Sequence, residues 1–102
     1  MHLIEILMPL CDEEGKPFPA ENYERLSQRL TERFGGVTSF ARSPAQGRWQ
    51  TGEATEHDDI AVLEVMADDL DRGWWSELRA DLMRELRQDD IVIRSHIVER
   101  LT

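Results

Sequence analysis

Cysteine is nearly absent. Cys11 is the one thiol in 102 residues, so no internal disulfide can form and no cysteine-built metal cluster is available. A lone thiol fits a reducing compartment, and the expected location is the cytoplasm. Lysine is just as scarce, Lys16 standing against eleven arginines, a coding bias toward GC-rich codons rather than a mechanism. Long hydrophobic runs are missing too, and no basic segment followed by an apolar stretch opens the chain. Neither a signal peptide nor a membrane partner is expected. Positive charge is in deficit: 12 Lys and Arg against 21 Asp and Glu leave a net charge of −9. Eight acids (Glu53, Glu56, Asp58, Asp59, Glu64, Asp68, Asp69, Asp71) occur before Arg72 interrupts them. Nucleic-acid binding draws most of its non-specific affinity from cations placed on phosphates, so DNA, RNA and anionic lipid are disfavoured. A glycine-rich phosphate loop is also lacking, because Gly35-Gly36 closes a helix where a phosphate cradle would open one.

What is present is a globular pattern, with 40% hydrophobic and 32% charged residues, and a length that predicts one domain over residues 1–102. The chain reads twice as strand, helix, strand. The first pass runs from Leu3–Met8 through a helix at Glu21–Phe34 to a strand at Val37–Arg42. The second runs from Ile60–Met66, the apolar run reaching Ala67, through a helix at Arg72–Arg87 to Ile91–Val98. Tyr23, Leu26, Leu30 and Phe34 fall on one stripe of the first helix, and Trp75, Leu78, Leu82 and Leu86 on one stripe of the second, with Trp74 and Met83 at its margins. Pro19 sits at the opening of the first helix, and Asp68, Asp69 and Asp71 offer N-caps to the second. Thr51–Glu56 reads as a hairpin tip, with Gly47-Arg48-Trp49-Gln50 continuing the second strand after a bend. The predicted fold class is α+β, a ferredoxin-like β-α-β-β-α-β with a four-stranded antiparallel sheet and two helices on one face. Right-handed crossovers give the spatial order 4-1-3-2.

A sheet covered on one side leaves its other face without a helix. If Ile4, Ile6 and Met8 face the helices, Leu3, Glu5 and Leu7 face away. Ile91, Ile93 and Ile97 form the better inner set of the last strand, sending Val92, Arg94, His96 and Val98 outward. In the third strand both alternating sets are apolar, but charge argues that Glu64 points out, with Ile60, Val62 and Met66. So much apolar surface is a liability on a monomer, and two copies packed sheet to sheet would hide it. A two-fold homodimer is therefore the expected partner arrangement.

Glu5, Glu64, Arg94 and His96 are the candidate catalytic residues on that face. A histidine and carboxylates beside an arginine suit an acidic or enolisable small molecule, His96 serving as acid or base and Arg94 holding an anion. The competing reading is a set of cross-strand and cross-dimer ion pairs, the default for half-buried charges. His57-Asp58-Asp59 with Glu53 and Glu56 is a compact acidic set, but one on a hairpin tip, so a solvated loop is expected and no metal site. Cys11 lies beside Asp12, Glu13 and Glu14, which disfavour the thiolate a nucleophile needs. Trp75 is expected in the core. Trp49 and Trp74 are expected to seal edges rather than bind a cofactor, and no cofactor is expected.

The element order, the length and the motifs Arg33-Phe34-Gly35-Gly36-Val37-Thr38 and Gly47-Arg48-Trp49 resemble small uncharacterised bacterial proteins of the dimeric α+β barrel type. The resemblance covers nearly the whole chain, mainly through topology, and implies a homodimer. That superfamily includes antibiotic-biosynthesis monooxygenases, muconolactone isomerases and heme-degrading enzymes, none of whose catalytic motifs can be laid residue by residue on this sequence. The functional expectation is a homodimeric binding or accessory protein. The alternative is a cofactor-independent isomerase- or monooxygenase-like enzyme with its site on the sheet face.

Overall fold

A computed structural model describes residues 1–42 and 60–102. Its elements are β1 (His2–Pro9), α1 (Ala20–Phe34), β2 (Thr38–Arg42), β3 (Ile60–Ala67), α2 (Arg72–Leu86) and β4 (Ile93–Ile97). The described strands form one antiparallel sheet in the order β2-β3-β1-β4, the ferredoxin-like arrangement of an α+β fold. The segment with Gly47-Arg48-Trp49, the hairpin tip at Thr51–Glu56 and the His57-Asp58-Asp59 cluster lie outside the described residues.

Alternation along β1 buries Ile4, Ile6 and Met8 against the helices. The α2 stripe is buried throughout, at Trp75, Leu78, Leu82 and Leu86, whereas in α1 Leu26 and Leu30 are buried and Tyr23 and Phe34 at the stripe's ends are partly buried against the core. Phe34 stacks on Trp75 with ring centroids 5.3 Å apart. In β3, Ala61, Leu63 and Val65 join this core, which sends Glu64 to the other face as its charge requires.

The helix ends follow local chemistry. Pro19 is the N-cap of α1 rather than its first helical residue, and no side chain caps that end. Gly35 takes φ 81° and donates its N–H to the Thr31 carbonyl at 2.8 Å, closing the helix in the left-handed conformation that glycine adopts without cost. Asp71 caps α2, its carboxylate accepting from the Trp74 N–H at 3.1 Å. The far end of α2 closes on Arg87 at φ 53°, the one non-glycine residue with positive φ among those described.

The two helices run antiparallel, joined by arginines one turn apart on α1. Arg25 meets Glu85 at 3.6 Å, Arg29 meets Asp81 at 2.9 Å and Arg33 meets Asp71 at 3.1 Å. Trp74 lies in this seam, edge-on to Phe34 and beneath the guanidinium groups of Arg29 and Arg33, 5.6 and 5.1 Å from the ring centre. It therefore seals the contact between the helices and not an edge of the sheet. The reason is position: Trp74 precedes the inward Trp75 by one residue, about 100° around the helix, which turns it toward α1.

Two further details depart from the sequence reading. The last strand is regular over Ile93–Ile97 rather than Ile91–Val98, although Leu7 N–H to the Val92 carbonyl and Val98 N–H to the Met1 carbonyl, both 3.0 Å, extend the pairing beyond each end. Ile97 keeps the inward side but is 80% exposed; it sits on the last rung of the sheet, opposite His2, beyond the reach of helical cover.

Candidate functional site

The outer sheet face is built in rows. Glu5, on a central strand, stands directly between Glu64 of β3 and Arg94 of β4. The next row places Leu3 between Met66 and His96, and the row on the other side places Leu7 opposite Val62. The sheet thus brings all four candidate residues to adjacent rungs, where directly opposed side chains interact.

The pairing inside that group is uneven. Arg94 Nε donates to Glu5 Oε1 at 2.9 Å. The Glu5 side chain is only 12% exposed, while that of Arg94 is 51% exposed. The Glu5 carboxyl is held below its ordinary value of 4.5, first by the hydrogen bond from Arg94, against the opposing effect of burial. The charge of Arg94 and the nearby His96 add to the lowering. Two carboxylates facing each other repel, and the guanidinium relieves that repulsion on the Glu5 side. Glu64 and His96 form no ion pair among the described residues.

The apolar part of the face is smaller than the alternation alone implies. Met66 is 51% and Val92 43% exposed, whereas Val62 is fully buried within the single chain and stands outside the core cluster. Leu3 and Leu7 are partly exposed. Beyond Glu64 the sheet has a notch, because β2 begins at Thr38 and leaves Val65–Ala67 unpaired on that side. A groove of about 590 Å³ opens there, bordered by Leu3, Glu64, Met66, Gly35 and Arg100. Glu5, Arg94 and His96 do not line it.

The chemistry available is limited by the ion pair. A carboxylate already stabilised as an anion is a weak proton acceptor near neutral pH, since a general base works best with a pKa close to the operating pH. Of the four residues, His96 has the intrinsic chemistry for proton transfer. Among the described residues no group of three or more His, Cys, Asp or Glu is placed to hold a metal ion. Cys11 lies in the loop after β1, where its backbone bridges to Pro17.

Two structural features escaped the sequence reading. One is the ladder of arginines between the helices, legible in retrospect from the four-residue spacing of Arg25, Arg29 and Arg33 against Asp81 and Glu85. The other is a cavity of about 190 Å³ between α2 and β4, made by residues far apart in sequence that no local pattern links.

No family model matches the chain. The C-terminal part of Cullin-associated NEDD8-dissociated protein 1 from Emericella nidulans is 28% identical over 102 residues, which is 99% of this chain but 9% of that protein. The chain therefore corresponds to a short stretch of a much longer relative. Among solved structures, a phage SAM lyase in complex with S-methyl-5′-thioadenosine superposes with a TM-score of 0.63 at 11% identity, covering 93% of this chain and 79% of that one. That likeness establishes the shared fold. No described helix is long and apolar enough to cross a membrane.

Proposed function

We propose that the chain acts as a homodimeric binding or accessory domain in the cytoplasm, with the outer sheet face as the contact between two copies. The observation that carries this reading is the charge layout of that face. Glu64 and the Glu5–Arg94 pair share one row, His96 lies on the next, and exposed Met66 and Val92 flank them. A two-fold rotation about an axis running along β1 lays β3 of one copy over β4 of the other. Glu64 of each then faces the basic side chains of its partner, and the apolar side chains close around them. A face with both signs of charge at its two ends is self-complementary in the way an isologous contact needs.

Native mass spectrometry of the protein purified from its own host tests this. A mass of twice the chain supports the dimer, and a monomer at micromolar concentration overturns it. A reproducible small adduct on the dimer names the ligand class, and a dimer without adduct favours a protein-binding or accessory role.

A second reading, a cofactor-independent small-molecule enzyme on the same face, rests on the nearness of His96 to Glu5 and Arg94. The fold shared with a lyase solved with S-methyl-5′-thioadenosine makes that nucleoside a sensible first probe. If neither this probe nor any adduct binds, and His96→Ala changes nothing but surface charge, the enzymatic reading loses its best residue.

A further inference from the structure

The cavity between α2 and β4 has a composition at odds with the rest of the chain. Arg72, Ser76 and Arg79 line it from α2, and Ser95 from the edge strand, over an apolar floor of Trp75, Leu70 and Ile93. Arg72, Ser76 and Arg79 recur at four- and three-residue spacing, so they share one face of the helix. In a molecule of net charge −9, two arginines and two serines line a space of about 190 Å³. Arg94 also borders the cavity, although its guanidinium is engaged with Glu5 on the opposite face.

The two lining cations are not equivalent. Arg79 is fixed in place: its Nε donates to the Ile91 carbonyl at 2.9 Å and its Nη2 bonds the Asp90 carboxylate. Arg72 makes no ion pair among the described residues. It also occupies the first helical position of α2, whose first turn carries no acid. A cation at the positive end of a helix is unfavourable, and acids are the usual occupants. The capping Asp71 does not offset it at the cavity, because its carboxylate turns to the Trp74 N–H and to Arg33 of α1. A local rule broken beside a cavity is the kind of departure that functional sites show.

We infer that the α2–β4 cavity, through Arg72, Arg79, Ser76 and Ser95, binds a small oxyanion of phosphate size. The volume sets the class. It is well below the range of about 300–1,000 Å³ typical of drug-sized ligands, so the cavity suits a phosphate group and not a whole nucleotide. Guanidinium forks and hydroxyl donors are the groups that hold such an anion. Trp75, Leu70 and Ile93 form the apolar floor, while Arg72, Ser76, Arg79 and Ser95 stand exposed around it.

The test is a titration of the ¹⁵N-labelled protein with inorganic phosphate at constant pH and ionic strength, followed by amide shifts. Saturable shifts confined to the first two turns of α2 and to Ile93–Ser95 are expected. Arg72→Gln and Ser95→Ala should each retain the spectrum of the folded protein. Removing the charge-assisted contact of Arg72 should weaken binding about tenfold. Shifts that rise linearly without saturating overturn the inference, as do shifts spread equally over the Arg25, Arg29 and Arg33 ladder. Equal affinity in Arg72→Gln overturns it too, since the ion would then be held by general surface charge.

Discussion

Replacing Met66 by aspartate sets the fold of one copy against the assembly of two. Met66 projects from the outer face and is 51% exposed in the single chain, so folding gains only part of its burial energy and a dimer would gain the rest. Fully burying a side chain of this size is worth about 1.5–3 kcal/mol, which leaves roughly 1 kcal/mol per Met66 for the contact. In the proposed two-fold dimer each change counts twice. Met66→Asp removes about 2 kcal/mol of apolar burial and introduces two carboxylates at the closing interface. Each lies two residues along β3 from Glu64 and costs at least about 1–3 kcal/mol if it stays desolvated without a partner. The sum, about 4–8 kcal/mol, raises the dimer dissociation constant by about a thousandfold or more. The single chain loses little, because substitutions at half-exposed positions away from caps and cores usually stay within about 0.5 kcal/mol. Sedimentation velocity over a concentration series reads the assembly, and far-ultraviolet circular dichroism reads the fold. The reasoning fails if Met66→Asp remains dimeric at the wild-type concentration, or if it unfolds the chain before assembly can be measured while Met66→Ala leaves the dimer intact.

Three further outcomes follow from the described contacts. Because the Glu5 carboxyl is held below 4.5 mainly by Arg94, the pair stabilises the fold fully above about that pH and loses its effect as the pH falls through the lowered value; with Arg94 half exposed, Glu5→Gln should cost about 0.5–1 kcal/mol at neutral pH and nothing well below the carboxylate range, and equal acid sensitivity of both proteins in urea unfolding contradicts the pairing. Leu30 of α1 is fully buried in the core between helices and sheet, so Leu30→Ala should lose about 2–5 kcal/mol in denaturant unfolding, a loss under 1 kcal/mol being incompatible with the core as described. Arg87 closes α2 at φ 53°, where a side chain costs roughly 1 kcal/mol that glycine avoids, so Arg87→Gly should raise the melting temperature by a few degrees, and a fall would show that the Arg87 side chain holds something at that turn.

The fold was legible because each element announces itself locally. Leu26 and Leu30, or Leu78, Leu82 and Leu86, recur at helical spacing whatever the rest of the chain does, and Ile4, Ile6 and Met8 alternate as a strand must. The facing of β3 was only half legible. Its two faces are equally apolar, so periodicity leaves the choice open, and the charge of Glu64 is the one argument for the outward side that the structure bears out. Where the sequence reading stopped short, the cause is long range. The exposure of Ile97 depends on where β4 ends, and a period of two says nothing of that. The α2–β4 cavity joins Arg72 to Ser95, residues 23 positions apart, and only the folded sheet brings them together.

The row Glu64–Glu5–Arg94 bears most directly on the choice between docking and catalysis. Two carboxylates set directly opposite each other on central strands cost stability, and valine or threonine at either position would avoid that cost. Arg94 compensates Glu5 alone, leaving Glu64 without a cation among the described residues. A catalytic use asks for a carboxylate ready to take a proton, and the same arginine makes Glu5 a poor one. A docking use asks for a second cation over Glu64. In the two-fold arrangement proposed above the other copy's β4 brings one, which turns an unfavourable feature of the single chain into a reason for the chain to pair.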